Sequence, residues 1–193
     1  MTLNLRNFTR SVYGFDAVVR RVPATAWANS SPCDGWTASH VLAHQIGVLD
    51  GVARAARGED IGRPGDAFEL TDPLAAWAAC RDPLLEALDQ DGALQRSGKY
   101  WFGEMSVDDL IAIVQWDPLA HAWDIARAAG LTPIPDPELA ESSLRTIGSM
   151  ADTLRKWKLI GEPVNVAPDQ PAMDRFLGLI GRDPTPSDRD LNP

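Results

Sequence analysis

Asp117 and His121 stand four residues apart in Asp117-Pro118-Leu119-Ala120-His121. That spacing puts a carboxylate and an imidazole on one face of a helix, where both can reach the same ion. A second imidazole, His44, belongs to the pattern Val41-x-x-His44-x-x-x-Val48. Its apolar positions form an inward stripe, so the ring points into the protein rather than to water. Brought together, two imidazoles and one carboxylate leave coordination positions open, the arrangement of a metal ion that acts on a substrate. The plain alternative is a hydrogen-bonded core histidine and an Asp/His pair spaced by chance. Spacing alone leaves both readings open.

The elements that must position these residues are helical. Leu5, Phe8, Val12, Phe15, Val19 and Val22 step by three and four, predicting a first helix that Pro23 stops. After the turn-rich Asn29–Trp36 stretch, Thr37 caps a second helix running to about Gly58 and carrying His44. Residues 58–71 are polar and rich in glycine and aspartate, and are expected as a loop over the bundle end. Asp72-Pro73 opens a third helix, which Pro83 should kink or divide at Asp82, and which Asp91-Gly92 ends. Residues 92–105 read as a second loop.

Ser106-x-x-Asp109 resembles a capping box and opens a fourth helix through Leu110, Val114, Asp117, His121, Ile125 and Ala128, stopped by Gly130. Pro118 inside it predicts a kink that bends Asp117 towards the ion. Asp136-Pro137 starts a fifth helix, with Leu139, Leu144, Ile147, Ala151 and Leu154 on its apolar side. An extended, proline-rich segment after Gly161 leads to a short helix, Met173 to Ile180. The expected architecture is all-α: an antiparallel four-helix bundle with short additional C-terminal helices, in one domain over residues 1–184, and a disordered tail over 185–193.

The chain has 193 residues and 21.0 kDa, with 45% hydrophobic residues, enough for one full core. Its net charge of −9, without any basic run, argues against nucleic acid or an anionic membrane surface as partner. No apolar stretch approaches the ~18 residues of a membrane span, and no signal peptide precedes the first helix, so the expected location is the cytoplasm. Cys33 and Cys80 are too few for a disulfide framework; buried, reduced thiols are the expectation.

Several motifs in order carry a family resemblance. Pro32-Cys33-Asp34-Gly35-Trp36-Thr37 with Leu42-Ala43-His44, the run Asp117-x-x-x-His121-Ala122-Trp123-Asp124 through Gly130, and the ending Asp174–Arg182 are similar to the actinobacterial branch of the DinB-like metalloenzymes. That branch groups with mycothiol-dependent maleylpyruvate isomerase. The resemblance implies a divalent metal, zinc or alternatively nickel, held by His44, Asp117 and His121. It also implies a low-molecular-weight thiol co-substrate, mycothiol, delivered to a small electrophile. A dication favours thiolate over thiol, making a group with a free pKa of about 8.5 nucleophilic at neutral pH.

The isomerase itself carries an additional C-terminal domain that this chain is expected to lack, so that specific reaction is not assigned. His40-x-x-x-His44 places a further imidazole on the face of His44, as a ligand or as a neighbour of the ligands. Trp36 and Trp123 lie in the family-like motifs, and Trp123 is the candidate pocket wall. Asp124 could orient the His121 ring, and Arg127 could pair with Asp124, the commoner case, or meet an anionic substrate.

The leading reading is a metal- and thiol-dependent transferase or isomerase, monomeric or homodimeric. A metal-binding protein without thiol chemistry and a non-thiol metalloenzyme, including one using iron and oxygen, are the alternatives.

Overall fold

The computed structural model describes residues 1–62, 65 and 68–185, and parts of the 58–71 loop and the tail expected to be disordered fall outside the described residues. Helix α1 (Leu3–Val19) starts where the Thr2 hydroxyl accepts a hydrogen bond from the Leu5 amide, and buries Phe8, Val12, Phe15 and Val19. It stops three residues short of Val22, because Pro23 bars the preceding residue from helical geometry. The last turn tightens instead, with Val22 N donating to Val19 O at 3.3 Å.

Helix α2 (Ala38–Arg57) is fixed at its start by a reciprocal cap between Thr37 and His40 and ends on Gly58 in the left-handed region, φ 81°. Helix α3 (Pro73–Asp89) runs through Pro83 unbroken. Of the kink or division expected at Asp82, the division does not occur: the carbonyl that proline leaves unpaired, that of Ala79, sits at an exposed position where water can take it.

Helices α2 and α3 lie side by side in the same direction. Ser39 Oγ accepts from Leu70 N just before α3, the Cys80 thiol donates to Ile46 O, and Arg96 beyond α3 reaches Ala56 O. The long connection between them returns the chain to the start of α2. At the other side, Thr2 and Asn4 at the start of α1 bond Asp108 at the start of α4, so these helices are parallel too. The bundle is thus two parallel pairs set antiparallel to each other.

A hairpin that the sequence analysis reads as loop joins α3 to α4. Strands β1 (Ser97–Tyr100) and β2 (Gly103–Ser106) pair antiparallel, Ser97 opposite Ser106. The predicted fourth helix is two: α4 (Val107–Val114) and α5 (Trp116–Ala128). Pro118 has no N–H for the Val114 carbonyl, so the interruption falls one turn before the proline, at Gln115. The fifth helix is also divided, into α6 (Pro137–Gly148) and α7 (Ala151–Lys156), at the weakly helix-forming Gly148-Ser149.

Helix α8 (Ala172–Leu179) closes the described chain. The extended segment before it lies against α8, with Val164 N donating to Gly178 O at 2.9 Å and Gly161 N to Ile180 O at 3.1 Å. Gly178 permits this approach, since a Cβ there would stand 2.6 Å from Val166 Cγ2.

Two apolar clusters share α5. Ile125 and Ala126 belong to the bundle core with Phe8, Phe15, Leu42 and Leu49. Trp116, Leu119, Ala120 and Trp123 pack against α6, α7 and α8. Among the described residues no helix is long and apolar enough to cross a membrane.

Candidate metal centre

The antiparallel pair α2 and α5 brings His44 to Asp117 and His121. His44 Nε2 is 3.7 Å from Asp117 Oδ2, and His121 Nε2 is 3.5 Å from Asp117 Oδ1. One donor atom from each of the three residues lies within 4.8 Å of the other two. These separations exceed hydrogen bonds and leave space between the donors.

Asp117 is buried, and its Oδ2 has no hydrogen-bond partner. An orphaned carboxylate oxygen in the interior calls for a cation. Two imidazole nitrogens and a carboxylate form a donor set that fits zinc or nickel and leaves positions open.

Electrostatics agree with that requirement. Burial works to raise the Asp117 carboxyl, but neighbouring His121 and His44 outweigh it and hold it well below the usual carboxylate range. Burial opposes charge on His121, but Asp117, helped by Asp124, raises its pKa well above the ordinary value.

The His121 ring is anchored from behind. Its Nδ1 is 2.8 Å from Asp124 Oδ2, one helical turn on. A carboxylate only accepts, so Nδ1 carries the hydrogen and Nε2 turns its lone pair to the centre. Asp124 is fully buried and meets Arg182, whose Nη2 and Nε donate to Oδ2 and Oδ1 at 2.8 and 3.2 Å. Burial pushes Asp124 up, whereas Arg182 and His121 outweigh it and hold it at about 2. The Cys33 thiol completes the surroundings of this carboxylate, donating to Oδ2 at 3.2 Å.

Access is from the side of His44. Its side chain is 25% exposed against 7% for His121, and the Trp36 ring packs on it at 5.1 Å between centroids.

Other sequence candidates lie elsewhere. His40 serves the helix cap, Nδ1 accepting from Thr37 N at 3.2 Å, while Nε2 faces Glu69 Oε1 at 3.3 Å. Trp123 is a wall, but of a cleft on another face of α5, with Leu119, Ile134 and Met173. The Arg127 guanidinium lies over the Trp123 ring at 5.5 Å, and the partner expected for it, Asp124, is taken by Arg182. Arg182 and Cys33 fall in the family-like motifs, but nothing in their spacing marks them as neighbours of His121 and Asp124. Arg182 lies 58 residues from Asp124, and no periodicity signals a contact of that range.

Residues 8–126 match the model of the mycothiol maleylpyruvate isomerase N-terminal domain. Two proteins of Mycobacterium tuberculosis, from strains CDC 1551 and H37Rv and both described as uncharacterized, are 27% identical over 177 residues, covering 90% of this chain and 94% of theirs. The crystal structure of the mycothiol-dependent maleylpyruvate isomerase is similar in fold, with a TM-score of 0.55 and 18% identity over 93% of this chain and 88% of that one. The packed cluster of α6, α7 and α8 extends the likeness beyond the four-helix bundle. The all-helical fold, the ordered motifs and the matched span together place this chain in the mycothiol maleylpyruvate isomerase N-terminal domain family, a branch of the DinB-like superfamily.

Proposed function

We propose that this protein is a divalent-metal-dependent enzyme that binds mycothiol at His44, Asp117 and His121 and uses it on a small electrophile, by thiol transfer or thiol-assisted isomerisation. Zinc is the ion the donor set suits first, and nickel the second. The observation that carries the reading is the buried Asp117 Oδ2, without a hydrogen bond and set beside two imidazoles. With one carboxylate among the ligands, a bound dication leaves the centre a net positive charge and so favours a thiolate over its thiol.

The chain's own residues do the rest. His44, Asp117 and His121 hold the centre in place, and Asp124 keeps the Nδ1 hydrogen of His121 on the far side. Trp36 shields one flank of His44 from water. The thiol gives its proton to solvent, and its sulfur bonds to the electrophilic carbon of an unsaturated carbonyl substrate as the π pair moves to the carbonyl oxygen. That enolate takes a proton back from solvent in transfer, or re-forms the π bond and expels the thiolate in isomerisation. Transfer keeps the new C–S bond; isomerisation breaks it again after rotation. The electrophile approaches from the half-open side of His44.

Cobalt-substituted protein titrated with mycothiol tests the reading. A sulfur-to-metal charge-transfer band should appear in wild type and be absent in His121→Ala. If neither mycothiol nor another small thiol perturbs the cobalt spectrum at millimolar concentration, the thiol-dependent function is wrong.

A further inference from the structure

We propose that Arg182 is a positioning residue of the metal centre, acting through Asp124 on the His121 ring. The inference rests on the metal reading above and adds a part of the chain that the family match, residues 8–126, does not include.

Arg182 holds both oxygens of Asp124, Nε on Oδ1 at 3.2 Å and Nη2 on Oδ2 at 2.8 Å. A planar two-point contact fixes the plane of a carboxylate as well as its place. The oxygen that meets Nη2 is the one facing His121 Nδ1 at 2.8 Å. With that oxygen fixed, rotation of the imidazole about its Cβ–Cγ bond is restricted, and Nε2 stays directed at the space it shares with Asp117 and His44. The relay lies in the interior: the side chains of Arg182, Asp124 and His121 are 14%, 0% and 7% exposed.

The position of Arg182 is itself determined by packing. It follows Gly181, which takes φ 88° and whose Cβ, if present, would stand 2.7 Å from Gly161 Cα. Its amide donates to Leu177 O at 2.9 Å, so the residue is tied to the end of α8. Helix α8 in turn is held to the 161–166 segment and to α6. Docking of this C-terminal layer therefore sets the aim of a ligand on α5. Arg155 serves as the internal comparison: it binds Leu179 O at 3.0 Å and Gly161 O at 3.3 Å in the same layer but contacts no residue of the relay.

The test measures zinc affinity by chelator competition and the ligand-field spectrum of the cobalt protein, with circular dichroism as the check on folding. Wild type, Arg182→Met, Arg182→Lys and Arg155→Met are compared. Loss of an outer partner of a metal-bound histidine costs about 10–100-fold in affinity. Arg182→Met should lose at least tenfold and change the cobalt spectrum, and Arg182→Lys should recover part of the loss. Arg155→Met should unfold at lower temperature with unchanged affinity. Equal affinity and spectra in Arg182→Met and wild type overturn the proposal, as does an equal loss in Arg155→Met, which would make the effect one of general packing. A wild type that binds no zinc overturns the metal reading itself and this role with it.

Discussion

At the scale of single residues, His44, Asp117 and His121 differ from every other candidate in facing one another with no hydrogen bond among them. Replacing any one by alanine should abolish stoichiometric metal in elemental analysis while circular dichroism keeps most of its helical signal, because the apolar clusters hold the bundle independently. Full zinc occupancy in all three variants would refute the ligand assignment. His40→Ala should behave in the opposite way. It removes the acceptor for the Thr37 amide and should cost about 0.5–1 kcal/mol of stability in urea unfolding, with metal affinity unchanged. The three facing residues were legible because i, i+4 spacing and an inward stripe are local signals. Two further residues show what local spacing leaves open. His40 shares a helix face with His44 but is one turn nearer the cap, and a side chain at that position satisfies the exposed amides of the first turn. Asp124 has a local candidate, Arg127, and takes a distant partner, Arg182, which the C-terminal layer delivers into its buried surroundings.

At the scale of elements, the interruption between α4 and α5 is the feature with most consequence for the centre. Pro118 removes the bond that would continue one helix into the next, and Asp117 sits in the first turn that follows. Pro118→Ala restores an amide for the Val114 carbonyl. It should fuse α4 and α5, hold or raise the melting temperature, and reorient Asp117 enough to weaken zinc binding in chelator competition; unchanged affinity would make the proline incidental.

Periodicity found the helices and most of their caps, since Thr37, Asp72, Ser106 and Asp136 all act as sequence chemistry requires. It missed the β1–β2 hairpin because Ser97-Gly98-Lys99-Tyr100 lacks the β-branched residues and alternation that mark a strand. Of the kink or division expected at Pro83, the division does not occur, because the carbonyl one turn back is exposed, which no pattern reveals. A second element-scale expectation concerns Gly178. A methyl there meets Val166 and the Val164 carbonyl, so Gly178→Ala should part α8 from the extended segment and cost about 1–3 kcal/mol in urea unfolding, as overpacking does.

For the molecule as a whole, α5 belongs to both apolar clusters, whereas α1 meets α3 across a seam that carries a half-buried carboxylate. Asp16 of α1 accepts from Trp77 Nε1 at 2.8 Å and pairs with Arg81, both on α3, while Arg20 takes its other oxygen at 2.8 Å. Burial works to raise the Asp16 carboxyl, and Arg20, Trp77 and Arg81 together outweigh it and leave its pKa below the ordinary 3.8. A carboxyl whose folded pKa is depressed binds protons more weakly folded than unfolded. Its stabilisation is therefore fully present above about pH 4 and is lost as pH falls through the folded value. Asp16→Asn keeps the shape of the side chain but not its charge, and leaves Arg81 facing a neutral partner. In urea unfolding the variant should be about 1–3 kcal/mol less stable than wild type at pH 7. The gap should narrow steadily below pH 4, while groups common to both proteins, His121 and Asp124 among them, cancel in the difference. A gap independent of pH between 2 and 7 would mean that Asp16 joins α1 to α3 by shape rather than by charge.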